Sequence, residues 1–196
     1  MLSEDELVEA ALRIIRRKGV ARLTMRDLAV ALAVSPMAAY YYVDSKDDLL
    51  RLAANHVWAS VTVPPPESGP WHERLRAVLI AERQAIEPYQ GLYEAVTYLD
   101  VERKQALEDA MLDLMLDAGY PPVRAVPAFR TLMSWVQGFS FIESALRDPK
   151  RRRPSGWGKA QRLTYDREQM PEMHAEEYFV FGLSTMIAGL RTVLDD

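Results

Sequence analysis

Residues 24–46, TMRDLAVALAVSPMAAYYYVDSK, decide the fold of this chain because they contain the start signals of short, successive helices. Thr24 stands three residues before Asp27, a spacing at which the hydroxyl and the carboxylate can each satisfy a free amide at a helix start. Ser35 precedes Pro36, so a capping hydroxyl is followed by the residue whose missing N–H costs nothing at the first helical position. The stretch therefore predicts one helix after Thr24 and a second after Ser35.

The connection between these two helices is very short. Only Ala33 and Val34 separate them, and such a turn is typical of a helix-turn-helix, whose second helix lies in the major groove of DNA. Ser45 and Asp48 have the spacing of a further helix start. An earlier amphipathic helix, ended by Gly19, completes a three-helix unit. The sequence predicts that the helix after Ser45 connects this unit to the rest of the chain.

A linker follows this N-terminal head, residues 1–60. It is the stretch 63–70, VPPPESGP, where prolines remove N–H donors and fix φ, so we expect no helix there. The rest of the chain has a helical pattern and no strand pattern, with helices predicted near 71–87, 89–98, 101–118, 123–147 and 173–194. The predicted fold class is therefore all-α, with two domains, 1–60 and 61–196.

Composition limits the classes of protein to which the chain can belong. Of its 196 residues, 49% are hydrophobic, enough to bury a substantial core. Cysteine is absent, and residues 2–9 are acidic where a secretion signal is basic. No apolar run approaches the roughly 20 residues needed to span a bilayer. We expect a soluble, cytoplasmic protein with no membrane partner.

The net charge is −4, but basic residues are concentrated beside the helix-turn-helix. Such a run is either a solvated helix face or a patch that faces DNA phosphates. A second basic run, residues 150–153, is either a solvated loop or a contact with DNA or another anion. The basic residues of the first run, with no acidic residue among them, are Arg13, Arg16, Arg17, Lys18, Arg22 and Arg26.

The N-terminal segment resembles the TetR family of bacterial transcriptional regulators, whose pattern is approximately Gly…Leu-Thr-x-Arg-x-Leu-Ala…Val-Ser…Tyr-x-x-(Phe/Val)-x-x-Lys-x-x-Leu-Leu. Two positions differ: Ala33 stands where the turn usually has glycine, and Ala39 stands where the recognition helix usually has leucine. If the turn requires a positive φ, Ala33 costs about 1 kcal/mol. The matching residues are Gly19, Leu23, Thr24, Arg26, Leu28, Ala29, Val34, Ser35, Tyr40, Val43, Lys46, Leu49 and Leu50.

The resemblance implies which side chains contact DNA. Pro36, Met37 and Ala38 begin the recognition helix, and their side chains suit apolar contact with thymine methyl groups. Arg26, near the start of the preceding helix, is by position and chemistry a candidate for a bidentate contact to guanine, and alternatively a phosphate contact or a solvated charge.

Tyrosines, a lysine and the capping hydroxyls complete the predicted interface. The resemblance places Tyr40 and Tyr41 toward phosphate and Tyr42 partly in the core, and Lys46 adds positive charge at a helix N-terminus suited to phosphate. The capping hydroxyls either contact phosphates as well or only cap their helices. The predicted DNA-binding residues are Thr24, Arg26, Ser35, Pro36, Met37, Ala38, Tyr40, Tyr41 and Lys46.

The resemblance also implies that residues 61–196 bind a small molecule and form a dimer. In the family, the last two helices of each protomer form a four-helix interface, and ligand binding changes the separation of the two heads. Gly182 and Gly189, seven residues apart, are compatible with a close approach of two helices. Candidate residues for an apolar or aromatic ligand, each alternatively a plain core residue, are Tyr93, Tyr98, Met111, Met115, Trp135, Gln137 and Phe139.

These features predict a ligand-responsive homodimer that binds an inverted-repeat operator, with half-sites about 34–36 Å apart or slightly more, most often as a repressor. An enzyme is disfavoured because the chain has no glycine-rich phosphate loop and no cysteine, and we expect no cofactor. The histidines, His56, His72 and His174, are scattered and predict no metal site. The remaining alternative is a helical dimer whose head has lost DNA binding and serves as a protein-interaction or ligand-binding module.

Overall fold

The computed structural model describes residues 2–147 and 175–195, and every regular element in these ranges is helical. The predicted all-α class is therefore confirmed. The basic run 150–153 and His174 lie outside the described residues. The α-helices are α1 (Glu4–Lys18), α2 (Met25–Leu32), α3 (Pro36–Ala39), α4 (Lys46–Trp58), α5 (Trp71–Ile86), α6 (Leu92–Ala95), α7 (Glu102–Asp117), α8 (Pro122–Arg147) and α9 (Ala175–Asp195).

The chain divides into two compact units, Met1–Phe129 and Arg130–Asp196. The division into domains 1–60 and 61–196 stays a prediction. Within the described ranges, no helix combines the length and the apolar character needed to cross a membrane.

Helix α1 forms because both of its ends are capped. Ser3 Oγ accepts an N–H from Glu6 at 3.1 Å, and the Glu6 carboxylate accepts the backbone N–H of Ser3 at 2.8 Å. Gly19 ends the helix at a φ of 75°, which glycine adopts at little cost. The apolar face of α1, including Leu7 and Ile15, is completely buried, so α1 is the support on which the helix-turn-helix packs.

The caps of α2 and α4 differ in one respect from the reciprocal cap that the sequence predicts. Thr24 Oγ1 accepts the N–H of Asp27 at 3.0 Å, but the Asp27 carboxylate accepts the Thr24 hydroxyl, at 2.6 Å, instead of a backbone N–H. Ser45 and Asp48 repeat this arrangement, at 3.0 and 2.8 Å. Aspartate is one methylene shorter than glutamate, so it reaches the hydroxyl but not the amide beyond it, as Glu6 does in α1.

A left-handed residue joins α2 to α3. Ala33 has φ 53° and ψ 39°, and it is the only non-glycine residue with positive φ in the described part of the chain. Helix α3 is a single turn whose chain continues as turns through Tyr42. Ala39 is completely buried. Both departures from the family pattern therefore affect the backbone or the core of the head.

Helix α4 contacts helices that precede and helices that follow the linker in the first unit. It contacts α1 in the head, and it also contacts α5, α6 and α7. The linker contains a 3₁₀ turn, Pro66–Ser68, where the prolines predicted no helix, because a proline that starts a turn needs no N–H. Arg74 Nε donates to the Pro64 carbonyl at 2.8 Å, which fixes the linker against α5.

Helix α6 is much shorter than the predicted helix over 89–98. Gly91 takes a left-handed conformation, with a φ of 79°, immediately before it. The single turn Leu92–Ala95 ends at Val96, whose backbone is no longer helical. Tyr89 and Tyr98 therefore lie outside the helix, on either side of it.

In the second unit, an aromatic cluster joins α8 to α9. The ring of Trp135 stacks on Phe179 with centroids 5.5 Å apart, and Phe139 meets Phe179 edge-on at 5.4 Å. A Cβ on Gly182 would lie 2.3 Å from Trp135 Cζ2, whereas a Cβ on Gly189 would meet nothing within 4 Å among the described residues. Gly182 therefore makes room for a tryptophan of its own chain, and the two glycines do not share one role.

Candidate functional site

The surface around α3 consists of exposed apolar and aromatic side chains. Met37 is 76% exposed and Tyr41 is 85% exposed, while Ala38 is half-buried. The side chain of Pro36 lies outside the described set. Ser35 Oγ accepts the N–H of Ala38 at 3.2 Å, so it acts as the predicted cap. The turn at Ala33 thus holds a short helix with its apolar start exposed to solvent.

The three consecutive tyrosines occupy different environments. Tyr40 and Tyr41 are exposed, whereas Tyr42 is half-buried and its hydroxyl donates to the Leu2 carbonyl. The rings of Tyr41 and Tyr42 meet edge-on at 5.4 Å, so the half-buried ring supports the exposed one. This places two phenol groups on the surface next to the exposed start of α3.

Lys46 makes a contact that its sequence position does not indicate. Its ammonium group donates to the carbonyl of Val20 at 3.3 Å and so holds the 3₁₀ turn Val20–Arg22 to the start of α4. An ammonium group has three N–H donors. The contact with Val20 therefore leaves donors for a phosphate.

Some cations of the basic run in the head are bound to other side chains of this chain. Arg13 pairs with Glu9 at 3.6 Å, and Lys18 pairs with Asp27 at 3.9 Å. The guanidinium group of Arg16 donates to the Tyr89 hydroxyl at 3.0 Å and lies 5.2 Å from that ring centroid. In residues 2–147 and 175–195, the cations of the run without an ion-pair or hydrogen-bond partner are Arg17, Arg22 and Arg26, all exposed.

The predicted ligand residues are divided between the two compact units. In the first unit, Met111 and Met115 are completely buried, and the half-buried Tyr93 has its ring 5.9 Å from that of Trp58. Tyr98 is 94% exposed and does not join them, because it follows the end of the short helix α6. In the second unit, Trp135 and Phe139 lie together, with ring centroids 5.7 Å apart, and Gln137 is half-buried on the same helix.

The sequence analysis missed a buried carboxyl group in the first unit. Glu82 of α5 is only 3% exposed, and its Oε1 accepts the indole N–H of Trp58 at 2.8 Å. Burial raises the pKa of Glu82, an effect that the hydrogen bond from Trp58 and the positive charge of Lys104 partly oppose and that the charge of Glu108 reinforces. A signal was available, because Glu82 stands at helical spacing from Leu75, Leu79 and Ile86, all of which are buried.

No group of three or more potential metal ligands occurs among the described residues. His56 and His72 belong to different helices, α4 and α5. The chemistry available in the head is therefore hydrogen bonding, apolar contact and positive charge.

Comparison with known proteins agrees with this geometry over most of the chain. The model of bacterial regulatory proteins of the tetR family matches residues 7–53, and the model of the tetracyclin repressor-like C-terminal domain matches residues 63–194. An HTH-type transcriptional regulator of Saccharopolyspora erythraea is 29% identical over 150 residues, which is 75% of this chain but only 63% of that regulator. The class E tetracycline repressor protein of Escherichia coli is 23% identical over 100% of this chain and 93% of its own length.

Solved structures show the same fold. A possible TetR family transcriptional regulator from Streptomyces coelicolor A3(2) superposes with a TM-score of 0.81 at 24% identity, covering 97% of this chain and 100% of that one. BioQ bound to its natural double-stranded DNA operator gives 0.72 at 24% identity, with 97% and 98% covered. Streptomyces coelicolor ActR bound to actinorhodin gives 0.74 at 23% identity, with 96% and 95% covered.

The two family models together leave only short segments unmatched, and the matched head contains the helix-turn-helix with its exposed recognition turn. This protein belongs to the TetR family of DNA-binding transcriptional regulators, a family of regulators and not of enzymes.

Proposed function

We propose that this regulator is a ligand-responsive repressor. It acts in the cytoplasm, binds an inverted-repeat operator as a homodimer, and leaves the operator when a small apolar or aromatic ligand binds. The observation that supports this most strongly is the short helix α3, which follows the left-handed Ala33, exposes Met37, and is followed by the exposed phenols of Tyr40 and Tyr41. A surface of this kind suits a major groove lined by phosphates.

Within this proposal, the head residues have distinct tasks. Met37 and Ala38, after Pro36, contact thymine methyl groups, and Arg26 contacts a guanine or a phosphate. Tyr40, Tyr41 and Lys46 contact phosphates, together with the hydroxyls of Thr24 and Ser35. Phosphate contacts fix the register of the head, while base contacts give the sequence preference.

Exposed apolar side chains in the second unit support a homodimer. Phe141 and Ile142 of α8 and Tyr178 and Phe181 of α9 are each about half exposed or more. Several exposed large apolar side chains on two helices are a common feature of protein interfaces. In a two-fold dimer of these helices, each protomer presents one head to one half of an inverted repeat.

Ligand release follows from a bias between two conformations. A ligand that prefers the conformation with unsuitable head spacing lowers DNA affinity by the ratio of its affinities for the two conformations. The structure of ActR with actinorhodin supports ligand binding, and the structure of BioQ with operator DNA supports DNA binding. Helix α4 is suited to transmit the change, because it contacts α1 and also α5, α6 and α7.

The test is a selection of bound duplexes from a random double-stranded DNA library at near-physiological salt, followed by sequencing. We expect an enriched inverted repeat with the native protein and none with an Arg26→Ala, Lys46→Ala variant. An Arg103→Ala, Arg130→Ala variant removes the same charge from exposed positions outside the head and should retain the enrichment. Absence of enrichment with a folded native dimer would refute direct DNA binding and favour the protein-interaction or ligand-binding module.

A further inference from the structure

Glu82 has one carboxylate oxygen that no described residue satisfies. Its Oε1 accepts the indole N–H of Trp58 at 2.8 Å, but Oε2 is buried and has no hydrogen-bond partner. A buried polar atom without a partner is costly, and it is uncommon in native proteins unless it serves a function or meets a bound molecule. This oxygen can accept a hydrogen bond from something that the chain itself does not supply.

The charges around this oxygen define what it can accept. Lys104 and Glu108 of α7 form an ion pair with each other, so they neutralise one another. Glu82 therefore shares one base, Lys104, with a second acid, Glu108. Burial raises the pKa of Glu82, and the positive charge of Lys104 opposes that rise only in part. A ligand with a positive charge and an N–H donor would supply both the missing charge and the missing hydrogen bond.

Two aromatic rings lie beside the cluster. The Trp58 ring, whose N–H binds Glu82, is 5.9 Å from the ring of Tyr93, and the Lys104 ammonium lies 5.9 Å from the Tyr93 centroid. Aromatic faces favour flat apolar groups and cations. Tyr93 is half-buried on the single-turn helix α6, so this edge of the cluster is partly open to solvent.

We propose that Glu82 is the recognition group for a ligand that combines an aromatic ring with a protonated amine, and that Oε2 accepts an N–H from that amine. This inference rests on the ligand-responsive function proposed above and narrows its apolar or aromatic ligand to one class. Trp58 is the last residue of α4, and the same carboxyl group holds it. Ligand bound at Oε2 therefore acts on a group that already positions the end of α4, the helix that contacts α1.

Matched probes test the charge requirement. Isothermal titration calorimetry would compare protonated 1-naphthylmethylamine, neutral 1-naphthalenemethanol and anionic 1-naphthaleneacetate, which share a ring system and differ in charge. We expect the native protein to bind the amine at least ten-fold more tightly than either other probe. Equal binding of the three, or no binding of the amine at millimolar concentration, would overturn the proposal.

Two variants separate recognition from a purely structural carboxyl group. Glu82→Gln retains an acceptor for Trp58 but removes the charge, and it should abolish the preference for the amine. Glu87→Gln, at the exposed residue that follows α5, should retain the preference. If Glu82→Leu folds with a higher melting temperature and still prefers the amine, Glu82 is only a structural residue and the proposal fails.

The coupling to DNA is tested separately, on the operator found by selection. Trp58→Phe removes the indole N–H that Glu82 accepts, so, at equal fractional saturation with the amine, it should leave the operator less completely than the native protein. If the operator is found and the amine shows no preference for the native protein, only this inference fails. If no operator is found while the amine depends on Glu82, the ligand site stands and the regulatory function fails.

Discussion

The two glycines of α9 allow one prediction to be worked out in detail, because they share a helix but not an environment. Replacing glycine by alanine inside a helix stabilises it by about 1 kcal/mol. At Gly189 the added Cβ meets nothing within 4 Å among the described residues. We therefore expect Gly189→Ala to raise the free energy of unfolding by about 1 kcal/mol.

At Gly182 the same gain is opposed by a collision. The added Cβ would lie 2.3 Å from Trp135 Cζ2 and 2.9 Å from Cη2, whereas carbon atoms in contact prefer about 3.5–4.0 Å. Trp135 cannot simply withdraw, since its ring stacks on Phe179 and also contacts Phe139. Overpacking of this kind costs about 1–3 kcal/mol, so Gly182→Ala should be less stable than Gly189→Ala by about that amount.

The assay is urea denaturation followed by circular dichroism and tryptophan fluorescence, with both variants at several protein concentrations. In a Trp135→Leu background the penalty of Gly182→Ala should largely disappear, since the partner in the collision is gone. Equal stability of the two alanine variants, or a penalty that persists without Trp135, would refute the packing argument. A stability of Gly189→Ala that falls below native at high protein concentration would instead place Gly189 in the dimer interface.

Three further predictions concern the first unit. In thermal denaturation, Ala33→Gly should stabilise the protein by up to about 1 kcal/mol, because relief of the left-handed strain exceeds the entropy gained by the unfolded chain. Ala31→Gly within α2 should destabilise the protein by about 1 kcal/mol in the same assay, and a loss of stability at both positions would contradict the assigned turn. Because burial raises the pKa of Glu82 above 4.5 in the folded state, the folded protein binds more protons, so native stability relative to Glu82→Gln should fall as pH rises above about 4.5. A stability difference that is flat between pH 4 and 8 would show that Glu82 does not titrate differently on folding. Thr24→Ala should cost about 1 kcal/mol of stability, while Thr24→Ser costs little. If the operator affinity of Thr24→Ala falls only in proportion to its stability, Thr24 serves only as a cap. A larger fall in affinity, at a temperature where both variants are fully folded, would indicate a phosphate contact as well.

Local sequence was sufficient for the start of each helix in the head. Caps such as Ser3 with Glu6 involve residues three apart, so their geometry depends little on the rest of the protein. The left-handed turn was foreseeable for the same reason, since two residues between two helices leave few conformations. The breaks around α6 were less foreseeable, because the left-handed conformation of Gly91 cannot be distinguished in sequence from a glycine tolerated inside a helix.

The sequence predicted the types of side chain in the candidate site, but not which residues they contact. Arg16 belongs to a basic run in sequence, yet its guanidinium group binds Tyr89, which is 73 residues away. Lys46 likewise donates to Val20, which is 26 residues away. Long side chains select partners from distant segments, and no local pattern encodes that choice.

The all-α class and the helix-turn-helix head were readable from local sequence, because caps, a short turn and apolar spacing involve near neighbours along the chain, and residues of the same stretch resemble the TetR pattern. The packing of Trp135 against Gly182, the separation of Tyr98 from the other ligand candidates, and the burial of Glu82 with one oxygen bound to Trp58 became visible only in three dimensions. Burial and pairing depend on which helices pack together. A glutamate in an apolar stripe acquires its unusual chemistry only when a second helix covers it.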